Sequence, residues 1–192
     1  MAHVPKEVIA KNFQVNISAF DHIPGSELYI FPSSPPPDNA QAPEDPKLSG
    51  GTVKVVDSTT FQVSTSIAVA EVTVEPGAMR EMHWHPTQDE WTYYISGQGR
   101  VTVFGSSSNA RTFNYEPGDV GFIPASFGHY VENTSNTTLR YLEIFNTDRF
   151  QDISLNQWLA LTPPDLVKAH LQLDDETISH LSKTKPIVIG PQ

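Results

Sequence analysis

The chain contains no cysteine, which excludes a disulfide framework and removes thiolate from the metal ligands it could offer. Basic residues are scarce: 12 Lys and Arg stand against 22 Asp and Glu, a formal net charge of -10. That balance repels phosphate backbones and anionic lipid surfaces, so neither nucleic acid nor membrane is an expected partner. No apolar run approaches the roughly 20 residues needed to span a bilayer. The start, Met-Ala-His-Val-Pro-Lys-Glu, lacks the apolar stretch of a signal peptide. The sequence as given therefore predicts a cytoplasmic protein, or a secreted one if an N-terminal segment has been removed. Asn16-Ile-Ser, Asn133-Thr-Ser and Asn136-Thr-Thr are glycosylation sequons that carry meaning only in the secreted case. No internal repeat stands out, and 192 residues suffice for one sizeable core with flanking segments.

Three regions are expected. Residues 1–50 form an N-terminal arm and linker, with a short helix around Lys6 to Asn12, a turn capped by Ser18, a strand Ser26 to Phe31, and a Pro-rich loop from Pro32 to Gly51. Residues 51–150 read as all-β. Strands are expected at Thr52–Asp57, Val63–Ile67, Ala68–Val74, Trp91–Ser96, Gly99–Phe104, Arg111–Tyr115, Asp119–Ile123, His129–Asn133 and Leu139–Asn146, separated by short turns that suit an antiparallel sandwich or barrel. Residues 151–192 read as helices at Leu155–Leu161, after a capping Thr162, and from Asp174, followed by an apolar tail able to add an edge strand.

The chemistry concentrates in Gly77-Ala-Met-Arg-Glu-Met-His-Trp-His-Pro-Thr-Gln-Asp-Glu90 and in Gly118-Asp-Val-Gly-Phe-Ile-Pro-Ala-Ser-Phe-Gly-His129-Tyr-Val-Glu-Asn133. His83 and His85 are two apart, so on a strand both imidazoles leave one face while Trp84 leaves the other. Pro86-Thr-Gln-Asp89 is turn chemistry, and a reversal there brings Glu90 back toward the same pocket on the neighbouring strand. His129 joins from a later strand. Three imidazoles and one carboxylate suit a divalent transition metal without choosing among Mn, Fe, Ni, Co and Zn. His170 and His180, on the C-terminal helices, read as ordinary helix residues.

Taken together, Gly77, His83, His85, Glu90 and Gly97, then Gly118, Pro124, His129 and Asn133, resemble the two motifs of the cupin superfamily, with Ser126 where that family has a glycine. The stretches Met79–Gly97, Gly128–Asn133 and Ser154–Ala160 are similar to the C-terminal cupin of bicupin oxalate decarboxylases, and the similarity runs from about Val8 to the end. The resemblance implies a jelly-roll β-barrel with an N-terminal arm and C-terminal helices. It implies manganese as the metal, dioxygen as a further requirement, oxalate or a similar small dicarboxylate as substrate, and formate and CO2 as products. It also implies a homo-oligomer, since two chains that meet imitate a two-cupin enzyme.

Two more residues take roles from that resemblance. Arg80 matches the family's arginine beside the metal, suited to hold the far end of a carboxylate. Glu143, in Tyr141-Leu-Glu-Ile-Phe145, matches a glutamate beside the same metal; strand alternation sends it opposite Leu142 and Ile144, into an apolar interior that would raise its pKa. One departure is evident. Where the family's N-terminal cupin carries a lid with Ser-Glu-Asn-Ser, this chain reads Arg149-Phe-Gln-Asp-Ile-Ser-Leu-Asn, without a lid glutamate. An oxalate oxidase giving peroxide and CO2, and a non-catalytic metal-binding or storage-type cupin, therefore stay open as alternatives.

Overall fold

The computed structural model describes residues 6–21 and 50–191. The strand expected at Ser26–Phe31, and the Pro-rich loop up to residue 49, lie outside them. The chain divides into two compact units, Met1–Ser34 and Pro35–Gln192. In the first, α1 (Lys6–Phe13) is followed by a 3-10 helix, Ile17–Phe20. Its cap is Asn16 rather than the expected Ser18. The Asn16 side chain accepts from the Ser18 amide at 3.0 Å, because an Asx side chain reaches the amide two residues on.

The second unit holds the strands β1 (Gly51–Val56), β2 (Ala68–Val74), β3 (Met79–Trp84), β4 (Glu90–Ser96), β5 (Gly99–Phe104), β6 (Ala110–Tyr115), β7 (Val120–Ile123), β8 (Gly128–Asn133), β9 (Leu139–Phe145), β10 (Ile153–Ser154) and β11 (Val188–Ile189). The helices α2 (Leu155–Leu161), α3 (Pro164–Leu171) and α4 (Asp175–Ser179) lie between β10 and β11. Two antiparallel sheets form, one in the order β1-β2-β9-β4-β7 and the other β10-β3-β8-β5-β6 with β11 also on β3. They make a jelly roll that does not close into a continuous ring.

Strict alternation builds the interior. On β2, Ala68, Ala70, Val72 and Val74 are buried and the residues between them are not; on β9, Leu139, Tyr141, Glu143 and Phe145 are buried. All of these except Glu143 join Val101, Val131 and Val188 from the other sheet in one apolar core. Gly121 on β7 lies opposite Thr92 on β4. A β-carbon there would stand 2.3 Å from Thr92 Oγ1, so only glycine allows this approach.

Two sequence expectations fail locally. Val63–Ile67 is a loop, not a strand: Ser64 N donates to Phe61 O at 2.8 Å and Thr65 N to Val63 O at 3.1 Å, so turn bonds occupy the amides a ladder would use. Thr162 does not cap α3, whose N-cap is Pro163; its hydroxyl donates back to Trp158 O at 2.8 Å and closes α2 instead. The edge strand expected in the tail is present as β11, paired with β3 through Val188↔Arg80 and Ile189↔Met79.

Candidate metal centre

His83, His85, Glu90 and His129 come together with one donor atom from each inside a span of 4.8 Å, all four buried. This is the one such group among the described residues. Alternation on β3 and just past its end turns His83 and His85 inward, and His129 pairs with His83 across β3 and β8. Glu90 arrives differently from the expectation. It opens β4, which belongs to the facing sheet, so the Pro86–Asp89 corner carries the chain across the interior rather than back alongside β3. Parity fixes which way a side chain points but not which sheet carries it.

The second nitrogen of each imidazole sets its tautomer. Nδ1 of His83 lies 2.7 Å from Glu81 O, Nδ1 of His85 2.8 Å from Gln151 O, and Nδ1 of His129 3.0 Å from Phe127 O. A carbonyl only accepts, so each Nδ1 carries the proton and each Nε2 presents a lone pair. All three Nε2 atoms, and both Glu90 oxygens, are buried without a hydrogen-bond partner. Glu90 Oε2 lies 2.9 Å from His85 Nε2 and 3.1 Å from His129 Nε2. Burial, and then the Arg80 charge, hold the His83 pKa well below its ordinary value, which favours the neutral ligand form. Buried polar atoms that converge and find nothing fit a divalent transition metal, and the donor set is the kind such metals take.

The loop before β8 shows how the Ser126 departure is accommodated. Ser126 adopts φ 67°, the left-handed conformation that glycine takes freely and that costs a non-glycine residue roughly 1–2 kcal/mol. Its amide donates to His85 O at 2.7 Å and its hydroxyl to Pro86 O at 3.1 Å, so the turn keeps its shape and ties the His129 strand to the His85 corner.

Beside the four donors lies an ionic cluster. A bulge in β3 sets Glu81 and Met82 against one residue of β8, which breaks alternation and lets Arg80 and Glu81 both face inward. Arg80 Nη2 is 2.6 Å from Asp152, Nη1 donates to Ile187 O at 3.2 Å and lies 3.8 Å from Glu81, and Nε is 3.6 Å from Glu143 Oε1. Lys185 contacts Asp152 closely and lies 4.0 Å from Glu81. Ser154 donates to Glu81 at 2.5 Å. Burial works to raise the Asp152 pKa, but Arg80 and Lys185 overcome it and bring it down to about 2. Glu143 goes the other way, raised by burial and by the nearby Glu90 charge against the pull of Arg80. Its Oε1 accepts from the Tyr141 hydroxyl at 3.3 Å and its Oε2 has no partner.

The structure thus places Arg80 and Glu143 side by side next to the four donors. Glu81, Asp152, Ser154 and Lys185 belong to the same cluster and were not singled out as site residues in the sequence. The bulge that turns Glu81 and Arg80 inward together leaves no periodic signal, and Lys185 sits far along the chain. His180 lies on the surface at the end of α4, with its ring Nδ1 bonded to Glu176 O of its own helix, and His170 lies exposed on α3; neither joins the cluster.

The family model described as Cupin matches residues 38–179. Oxalate decarboxylase OxdC of Bacillus subtilis (strain 168) is 49% identical over 208 residues, covering 98% of this chain and 54% of that protein. A probable oxalate decarboxylase of Arthroderma benhamiae is 42% identical over 215 residues, covering 99% of this chain and 52% of that protein. A solved structure of the B. subtilis oxalate decarboxylase, a study of its Mn(II) centres, superposes with a TM-score of 0.74 at 49% identity and covers 100% of this chain and 56% of that one. The chain spans about half the length of the relatives it matches.

Proposed function

The chain belongs to the cupin family, and on that footing we propose that it binds one manganese ion at His83, His85, Glu90 and His129 and converts oxalate to formate and CO2. The observation that carries this reading is the set of three Nε2 lone pairs and one carboxylate, all buried and unpartnered, with Arg80 and Glu143 beside them. A bound manganese ion, or another divalent transition metal, would supply positive charge and open coordination positions for a carboxylate and for dioxygen.

The chain's own groups supply the rest. Arg80 Nε, free of hydrogen bonds, is the donor available to the far carboxylate of oxalate, in an interior where one charge-assisted bond counts for more than in water. Burial raises the Glu143 pKa, and its unpartnered Oε2 is the place for a proton. When the C–C bond of oxalate breaks and one carbon leaves as CO2, that proton goes to the remaining carbon and gives formate. Asp152 cannot take this part, because its paired carboxylate stays ionised at any pH near neutrality.

One observation favours the oxidase reading as the alternative. The segment in the lid position is held down: Gln151 O accepts from Gln88 Nε2 at 2.9 Å as well as from His85, and Asp152 is locked to Arg80. Without a mobile acid at that place the intermediate is exposed to oxidation, and oxalate with dioxygen and two protons gives two CO2 and hydrogen peroxide. Formate and peroxide should be assayed from metal-quantified protein with a His83→Ala control. Formate supports the decarboxylase and peroxide the oxidase. Neither product above the control leaves a non-catalytic metal-binding cupin.

The homo-oligomer belongs to the same proposal. On the outer side of the first sheet Trp91 pairs with Phe122 and Tyr93 with Val120, all four exposed, forming an apolar patch that a second copy could bury. Sedimentation equilibrium reads the outcome, and a monomer at micromolar concentration would oppose it.

A further inference from the structure

Arg80 is completely buried, yet its donors are not all used alike. Nη2 is taken by Asp152 and Nη1 by Ile187 O, while Nε has no hydrogen-bond partner. Three carboxylates surround this one guanidinium: Asp152 at 2.6 Å, Glu143 at 3.6 Å and Glu81 at 3.8 Å. A lone cation among three carboxylates would be a poor place for a further anion. Even if Glu143 keeps its proton, Asp152 and Glu81 leave the group negative.

The second cation is Lys185. Its ammonium contacts Asp152 Oδ1, on the oxygen that Arg80 does not use, and lies 4.0 Å from Glu81 Oε1, with a side chain only 20% exposed. It comes from the tail leading into β11, the strand that pairs with β3 at Arg80 itself, and the same tail supplies Ile187 O. Backbone pairing therefore fixes Lys185 and the Arg80 acceptor together.

Resting on the oxalate reading above, we propose that Lys185 is a positioning residue of the anion site: by offsetting the charge of Asp152 and Glu81 it leaves Arg80 Nε free and removes the net negative charge that would otherwise repel a small dicarboxylate. The C-terminal tail is then part of the substrate site and not only an edge strand. Asp152 is the coupling element, holding the guanidinium by one oxygen and the ammonium by the other.

Full-length protein loaded with Mn(II) is titrated with oxalate in a calorimeter, comparing wild type, Lys185→Met, Lys185→Arg and the double variant Asp152→Asn/Lys185→Met, with metal content measured for each. Lys185→Met should keep its metal and bind oxalate about tenfold more weakly, as loss of one buried charge a few ångströms away predicts. Lys185→Arg should restore most of the affinity. So should the double variant, which removes the charge that Lys185 balances. In turnover the single variant should raise KM with little change in kcat. Lys185→Met binding as tightly as a wild type that itself binds oxalate overturns the proposal and leaves the oxalate reading intact. A well-folded double variant no better than Lys185→Met also overturns it. A metal-loaded wild type that binds no oxalate overturns the oxalate reading, and this inference falls with it.

Discussion

Two polar clusters lie side by side within the jelly roll, and they differ in how their buried atoms are satisfied. Around His83, His85, Glu90 and His129 the inward-facing atoms have no hydrogen-bond partner, while the outward Nδ1 atoms are all bonded to backbone carbonyls. Around Asp152 nearly every charge has an opposite charge or a donor against it. Buried polar groups left unpaired cost about 1–3 kcal/mol each, more when charged, so a protein keeps such a group only where a guest will complete it. The first cluster is built to receive an ion. The second holds the receiving groups in place. Arg80 Nε and Glu143 Oε2, unpartnered and between the two, mark the border where a substrate would lie.

The largest effect should come from breaking the first cluster. His83→Ala, or loss of any of the other three donors, should reduce metal affinity by more than the roughly 10–100-fold that follows from losing an orienting partner, as measured by metal content after equilibrium dialysis. At the border, Glu143→Gln should keep the metal and slow formate production by about 100- to 10,000-fold, the usual worth of a positioned proton donor; an unchanged rate would remove Glu143 from that role. The second cluster should show itself in pH dependence. Asp152 has a pKa lowered from its ordinary 3.8 to about 2. A depressed carboxylate contributes stability that is present above the unfolded value and is lost as pH falls through the folded one. Denaturant unfolding should therefore show a loss on the order of 2 kcal/mol between about pH 4 and pH 2 that Asp152→Asn lacks. The smallest effect is expected from Ser154→Ala, which removes the cap of α2 and the hydrogen bond to Glu81. It should cost about 1–2 kcal/mol in the same assay with metal content unchanged.

The first cluster was legible in the sequence and the second largely was not, for a physical reason. His83 and His85 announce themselves because strand parity puts both on one face, and the glycines and proline around them mark the turns that return the chain. Glu90 was placed in the right pocket by the wrong route, since alternation carries no information about which sheet a strand joins. Glu81 and Arg80 are adjacent, so a regular strand would send one of them outward; only the bulge, which depends on pairing with β8, turns both inward. Lys185 meets Asp152 across 33 positions of sequence through β11 pairing, a contact no local pattern encodes. Most of the strands were visible as alternating runs between turn residues. Val63–Ile67 was misread because β-branched residues also occur in a loop whose amides are taken by turn bonds.

The central claim, that three imidazole Nε2 atoms and the Glu90 carboxylate grip a single ion, is tested most directly by loading the purified chain with Mn(II) and recording pulsed electron paramagnetic resonance alongside metal stoichiometry. One ion per chain with directly bound imidazole nitrogen couplings that diminish in each of His83→Gln, His85→Gln and His129→Gln is the predicted result. Substoichiometric uptake, or a nitrogen signal unaffected by those substitutions, would contradict it.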